Sequence, residues 1–158
     1  MCRAKKDYFF LILASFLWFF ALAVTIWDFI TLQRMIFRLD FFKLIGFLGA
    51  FLGVILRIQA RRTLKQFFSP TLKVSEDHQL IIEGIYNYLR HPAYLGSLFL
   101  SFGIPLIFSS LYGFICMLLF IPCILYRIHI EEQMFIEKFG KDYLNYRKRV
   151  KRLIPYIY

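Results

Sequence analysis

Two stretches without a single charge constrain this chain more than anything else in it. Residues 8–27 read "YFFLILASFLWFFALAVTIW", and the 34 residues from Ala93 to Tyr126 contain no Asp, Glu, Lys or Arg. A helix needs roughly 20 apolar residues to cross the hydrocarbon layer of a bilayer. The first run meets that length outright. The second is too long for one upright span and long enough for two short ones joined as a hairpin, with its turn near "FSSLYG", residues 108–113. Pro105 and Pro122 would kink the two arms, because a proline inside a helix removes one backbone hydrogen bond and crowds the carbonyl four residues earlier. With 59% apolar and 20% aromatic residues and a mean hydropathy of +0.59, the chain has more apolar surface than a water-soluble domain can cover.

A further span is expected over residues 41–58, "FFKLIGFLGAFLGVILRI", where Lys43 and Arg57 lie near the ends and can snorkel to the headgroups. Gly46, Gly49, Ala50 and Gly53 share one face of it at small-xxx-small spacing, which lets another helix approach closely. The expected fold is therefore all-α: an integral membrane bundle of four transmembrane helices over about 8–28, 41–58, 93–108 and 111–127. The first reads as a retained span, since its core is too long for a secretory signal and no A-x-A site follows. No repeat or flexible linker divides the chain, so residues 1–158 form one expected domain.

Charge orients the bundle. Twenty Lys and Arg against ten Asp and Glu leave +10, and in so apolar a chain these cations belong beside anionic headgroups rather than on nucleic acid. They cluster before the first span, between residues 57 and 90 and after Arg127, whereas the turn near residue 110 has none. Both termini and the middle loop are thus expected on the cytoplasmic side, and the compact layout favours a prokaryotic inner membrane over the endoplasmic reticulum. The tail mixes Ile128, Ile130, Met134, Phe135 and Phe139 with charges, then has Gly140 as a C-cap and a second helical stretch to about Val150. A helical pair against the membrane surface is the expected result.

Neither the three cysteines nor the histidines at 78, 91 and 129 have a spacing that suggests a disulfide framework or a metal site. Chemistry instead concentrates at two membrane boundaries. In "LRHPAY", Pro92 can open the third span, placing Arg90 and His91 at its N-terminus, where unpaired amides attract anions. The same residues also serve as a positive flank with a proline start. In "RIHIEE", Arg127 and Glu131 share a helix face. This spacing fits an ordinary ion pair, or a carboxylate for a polar cofactor beside a guanidinium for an acidic substrate.

Taken in order, "DHQLIIEGIYNYLRHPAYLG", Arg127 with Glu131 and Glu132, and "FGKDYLNYRKRVKRLIP" resemble the isoprenylcysteine carboxyl methyltransferase family and the related membrane phospholipid methyltransferases. The match covers roughly residues 76–155. The resemblance implies methyl transfer from S-adenosylmethionine to a lipophilic acceptor entering from the bilayer, with the C-terminal helices capping the cofactor pocket on the cytoplasmic side. It assigns His78, Leu80 and Ile81 to the adenosine part, Tyr86, His91, Pro92 and Tyr94 to the pocket wall, and Glu131 to the cofactor's polar groups, with Glu132 beside it. Arg127 would position the acceptor carboxylate, and Arg90 joins it as a catalytic candidate. Ile85 departs from the proline common in relatives. An isoprenylcysteine-type carboxylate is the expected acceptor; a phospholipid amine is the alternative, for which His91 or Glu132 would have to take a proton. A sterol-type reductase using NADPH and a non-enzymatic membrane scaffold are the rival classes.

Overall fold

A computed structural model of the protein describes residues 2–32, 40–65 and 80–153. Six α-helices follow one another: α1 Cys2–Thr31, α2 Phe41–Leu64, α3 Pro92–Ile107, α4 Leu111–Leu118, α5 Phe120–Phe139 and α6 Lys141–Arg149. A 3-10 turn, Gly84–Asn87, precedes α3. Among the described residues there is no β-strand, only one isolated parallel bridge between Leu89 and Lys151.

Among the described residues, three segments are long and apolar enough to cross a membrane: Phe9–Thr31, Phe41–Leu64 and Leu111–Phe139. They stay largely uncovered by protein, and Phe16, Phe19, Phe41, Phe51 and Leu111 are each more than 60% exposed, as lipid-facing side chains should be. The chain is an integral membrane protein. The fourth expected span is an apolar helix of 16 residues, α3, which at 1.5 Å per residue reaches about 24 Å, short of the ~30 Å hydrocarbon layer. The hairpin divides unequally because α4 and α5 continue each other. Leu119 between them keeps helical angles of φ −65 and ψ −17, and Pro122, one turn into the continuation, has no N–H to return to the carbonyl of Leu118. The helix runs on well past Arg127, to Phe139.

Polar caps hold the hairpin's turn. Ser110 begins α4, its Oγ accepting from Gly113 N at 3.0 Å and donating to the buried Asp28 Oδ2 of α1 at 2.6 Å. In a low-dielectric interior such a pairing is what allows a carboxylate to be buried at all. Trp18 Nε1 of α1 donates to Ser101 Oγ of α3 at 3.0 Å. Both bonds fasten α1 across the hairpin.

The expected glycine face of α2 lies on α3, antiparallel to it. A Cβ on Gly53 would stand 2.6 Å from the Gly96 carbonyl oxygen, and one on Gly46 2.8 Å from that of Gly103. These backbones touch, so the contact admits no side chain. Gly49, on the same helix, would place a Cβ 3.8 Å from the Phe99 carbonyl oxygen, which is ordinary contact. Substituting Gly53→Ala should therefore destabilise the protein in detergent by roughly 1–3 kcal/mol through overpacking. Gly49→Ala should be neutral or stabilising, by up to about 1 kcal/mol of helix propensity; thermal unfolding of both variants checks the pair.

Candidate active site at one end of the bundle

The "RHP" stretch folds as its proline dictates. His91 is held outside helical geometry at φ −129 and ψ 57, Pro92 occupies the first turn of α3, and Leu95 N returns to the His91 carbonyl at 3.1 Å. Immediately before it, the backbone pairs with the segment that follows α6: Arg90 N donates to Lys151 O at 2.9 Å and His91 N to Arg152 O at 3.1 Å. The C-terminal strap thus closes onto the start of α3.

α5 delivers two adjacent carboxylates to this junction, and their surroundings differ sharply. Glu132, 1% exposed, is fully engaged. Arg90 Nη2 lies 2.8 Å from its Oε1, His91 Nε2 3.4 Å from the same oxygen, and Arg152 reaches Oε2 with Nε at 3.0 Å and Nη2 at 2.8 Å. Arg90 directs Nη1 to the carbonyls of Arg147 at 2.9 Å and Val150 at 3.1 Å, while its buried Nε has no partner among the described residues. Three segments distant in the chain therefore meet on one carboxylate.

Glu131 lies beside it with capacity to spare. Its Oε2 is buried, 3.9 Å from His91 Nδ1, and has no hydrogen-bond partner among the described residues. The Tyr94 hydroxyl accepts from Arg127 Nε at 2.8 Å and lies within reach of the Glu131 charge, so Arg127 and Tyr94 link α5 to α3 beside Glu131. Tyr94 also packs its ring 5.6 Å from His91.

α6 covers this arrangement. After Gly140, at φ 52, where glycine alone avoids strain, the helix turns back so that Tyr143, Tyr146 and Val150 pack on Phe135, Ile136 and Phe139 of α5 and on Leu80. The Tyr146 hydroxyl donates to the Tyr86 carbonyl at 2.6 Å. Burial pushes the Tyr86, Tyr143 and Tyr146 hydroxyls above the usual phenol range, with the Glu131 charge adding to the effect at Tyr86. All three remain protonated donors near neutral pH.

Of the residues expected at the site, Arg90, His91, Pro92, Tyr94, Arg127, Glu131 and Glu132 come together here, with Tyr86 and Leu80 joined to it through α6; Ile81 follows Leu80, half-buried. His78 lies outside the described residues. Sequence reasoning gave no role to Arg152, whose guanidinium closes the strap on Glu132. Its signal was the R-x-x-P spacing of Arg152 and Pro155, a cation set among the apolar Val150 and Leu153. Among the described residues no group of His, Cys, Asp or Glu is disposed to hold a metal.

The fold and site define an integral membrane helical bundle whose buried polar cluster, at one end, is closed by a C-terminal strap. A family model described as phospholipid methyltransferase matches residues 41–142, and the chain belongs to that family. Protein-S-isoprenylcysteine O-methyltransferase of Schizosaccharomyces pombe is 37% identical over 120 residues, covering 72% of this chain and 48% of that protein. A delta(14)-sterol reductase of Mus musculus is 34% identical over 91 residues, 56% of this chain and 22% of that protein. The solved structure of a eukaryotic intramembrane Ras methyltransferase, isoprenylcysteine carboxyl methyltransferase, superposes with a TM-score of 0.77 at 28% identity, over 87% of this chain and 52% of that one. The chain thus spans about half the length of these methyltransferase relatives.

Glu132→Ala should lower stability by about 3–5 kcal/mol, because it leaves Arg90 and Arg152 without their counter-charge in a buried setting. Glu131→Gln should leave the melting temperature nearly unchanged. Thermal denaturation of the two purified variants in parallel separates the adjacent carboxylates.

Proposed function

We propose that this protein is an S-adenosylmethionine-dependent methyltransferase acting on a lipophilic acceptor, an isoprenylcysteine-type carboxylate. The observation that carries the reading is the asymmetry of the paired glutamates. One is consumed in holding the strap, and the other keeps a buried, unpaired oxygen next to an arginine-held tyrosine. An unpaired buried carboxylate oxygen is costly, and a cationic, hydroxyl-bearing cofactor is chemically suited to satisfy it. The residues present fit such a group.

In this reading Glu131 binds the cofactor's hydroxyl or amino groups, His91, Pro92, Tyr86 and Tyr94 wall the pocket, and His78, Leu80 and Ile81 hold the adenosine part. When bound, S-adenosylmethionine supplies an electrophilic methyl on a positively charged sulfur. Arg127 orients the acceptor carboxylate, its direction set by the Nε bond to Tyr94. Arg90 and Glu132 act as positioning residues: both are committed to protein partners, and together they hold the strap that excludes water. In a dry site, charges that cancel as the methyl moves are stabilised relative to the separated ions, and alignment supplies much of the remaining acceleration. A carboxylate acceptor needs no general base.

The charge distribution supports a cytoplasmic location for both termini and for the strap, with four membrane segments and the short α3 partly embedded as the fourth. The named relatives are eukaryotic, so compactness alone gives no ground for a prokaryotic membrane. The mouse reductase similarity favours one other reading, a nicotinamide-dependent reductase, but it rests on a small share of that protein.

Transfer of labelled methyl from S-adenosylmethionine into a farnesyl-cysteine analogue should be observed with purified protein. Label in phospholipid amine only would overturn the acceptor class, and saturable NADPH binding without S-adenosylhomocysteine binding would overturn the methyltransferase reading. Glu131→Gln should weaken S-adenosylhomocysteine binding about 10–100-fold by calorimetry, the range for a charged hydrogen bond. Arg127→Ala should cut kcat/KM for the acceptor by about the same factor while largely retaining cofactor affinity.

A further inference from the structure

α6 carries two buried tyrosines, and among the described residues only one hydroxyl has a protein partner. Tyr146 is bonded to the Tyr86 carbonyl. Tyr143 is the more deeply buried, at 1% exposed, with its ring 5.4 Å from Phe135 and 6.0 Å from Tyr146. Its Oη has no hydrogen-bond partner among the described residues. A phenylalanine would pack the same space without burying an unsatisfied group, so the packing does not account for the hydroxyl.

Its location narrows the explanation. α6 is pinned over the site at its far end, where Arg90 grips the carbonyls of Arg147 and Val150. The hydroxyl lies within electrostatic reach of Glu132, Arg90 and Glu131. Beneath the same helix lies Leu80, in the segment assigned above to the adenosine part of the cofactor. The lipid-exposed faces of α1 and α2, from which an acceptor would arrive, belong to other elements.

We infer that the Tyr143 hydroxyl is the hydrogen-bond donor that α6 contributes to the bound cofactor, making it a further binding residue of the site. The inference rests on the methyltransferase reading and deepens it. The phenol stays protonated, so the cofactor atom it meets is an acceptor: a hydroxyl oxygen, ring nitrogen or carboxylate. Cofactor binding then satisfies a donor that the ligand-free protein leaves unpaired, and it ties α6 down in its first turn as Arg90 ties it at its far end.

The test compares the intact protein with Tyr143→Phe and Tyr146→Phe in detergent, by ligand-free melting and by calorimetry with S-adenosylhomocysteine. Tyr143→Phe should leave the ligand-free melting temperature unchanged or raised, and should weaken S-adenosylhomocysteine about tenfold, one hydrogen bond's worth. Tyr146→Phe should lower the melting temperature, since it breaks a bond that exists without ligand. A lowered melting temperature for Tyr143→Phe with unchanged affinity would make the hydroxyl structural and overturn the inference. So would an unchanged cofactor affinity with a raised KM for the acceptor. If the unaltered protein binds no S-adenosylhomocysteine, the methyltransferase reading itself fails and takes this inference with it.

Discussion

The buried carboxylate of Glu132 is the interaction on which the rest of this structure depends. It is reached by Arg90 and His91 from the start of α3 and by Arg152 from the segment after α6, and it stands on α5. Without a counter-charge, neither guanidinium would tolerate burial. With it, the strap must close in one register, because the planar guanidinium of Arg152 meets one oxygen through two nitrogens while Arg90 takes the other. Buried ion clusters add little net stability, and their contribution here is position: they decide where α6 lies and so what it covers.

The second constraint is mechanical. Because α2 and α3 meet glycine to glycine, the two backbones are as close as helices can be, and α3 has no freedom to slide. That fixes the height of His91 and Tyr94 relative to the end of α2, whose last turn carries Arg61 and Arg62. The continuous α4–α5 helix then brings Arg127, Glu131 and Glu132 to the same level. A site at a membrane boundary needs this rigidity, since a mobile wall would admit water and lose the advantage of a dry environment.

Much of the fold was legible because bilayer physics acts on composition. Runs of uncharged residues report spans directly, glycine spacing reported the α2–α3 contact, Gly140 reported the break before α6, and the turn fell at Ser109 and Ser110 as its residues predict. The reach of the second arm was less legible. The uncharged run divides between the two helices almost as expected, but hydropathy marks only where charges begin, and the second arm continues through Leu119 and past Arg127 to Phe139. The site was half legible: the motifs named its residues, but adjacent Glu131 and Glu132 are indistinguishable in sequence, as are Tyr143 and Tyr146.

The sequence by itself determined that this chain lives in a membrane, that its helices pack through small residues, and that its polar residues gather at the span ends, because each follows from local composition and spacing. Which glutamate is consumed by the architecture and which stays open, which tyrosine is tied down and which is left with a free hydroxyl, was decided only in three dimensions. Those distinctions arise from contacts between residues some 20 to 60 positions apart, and hydrogen bonds over such separations leave no mark on the order of the residues that make them.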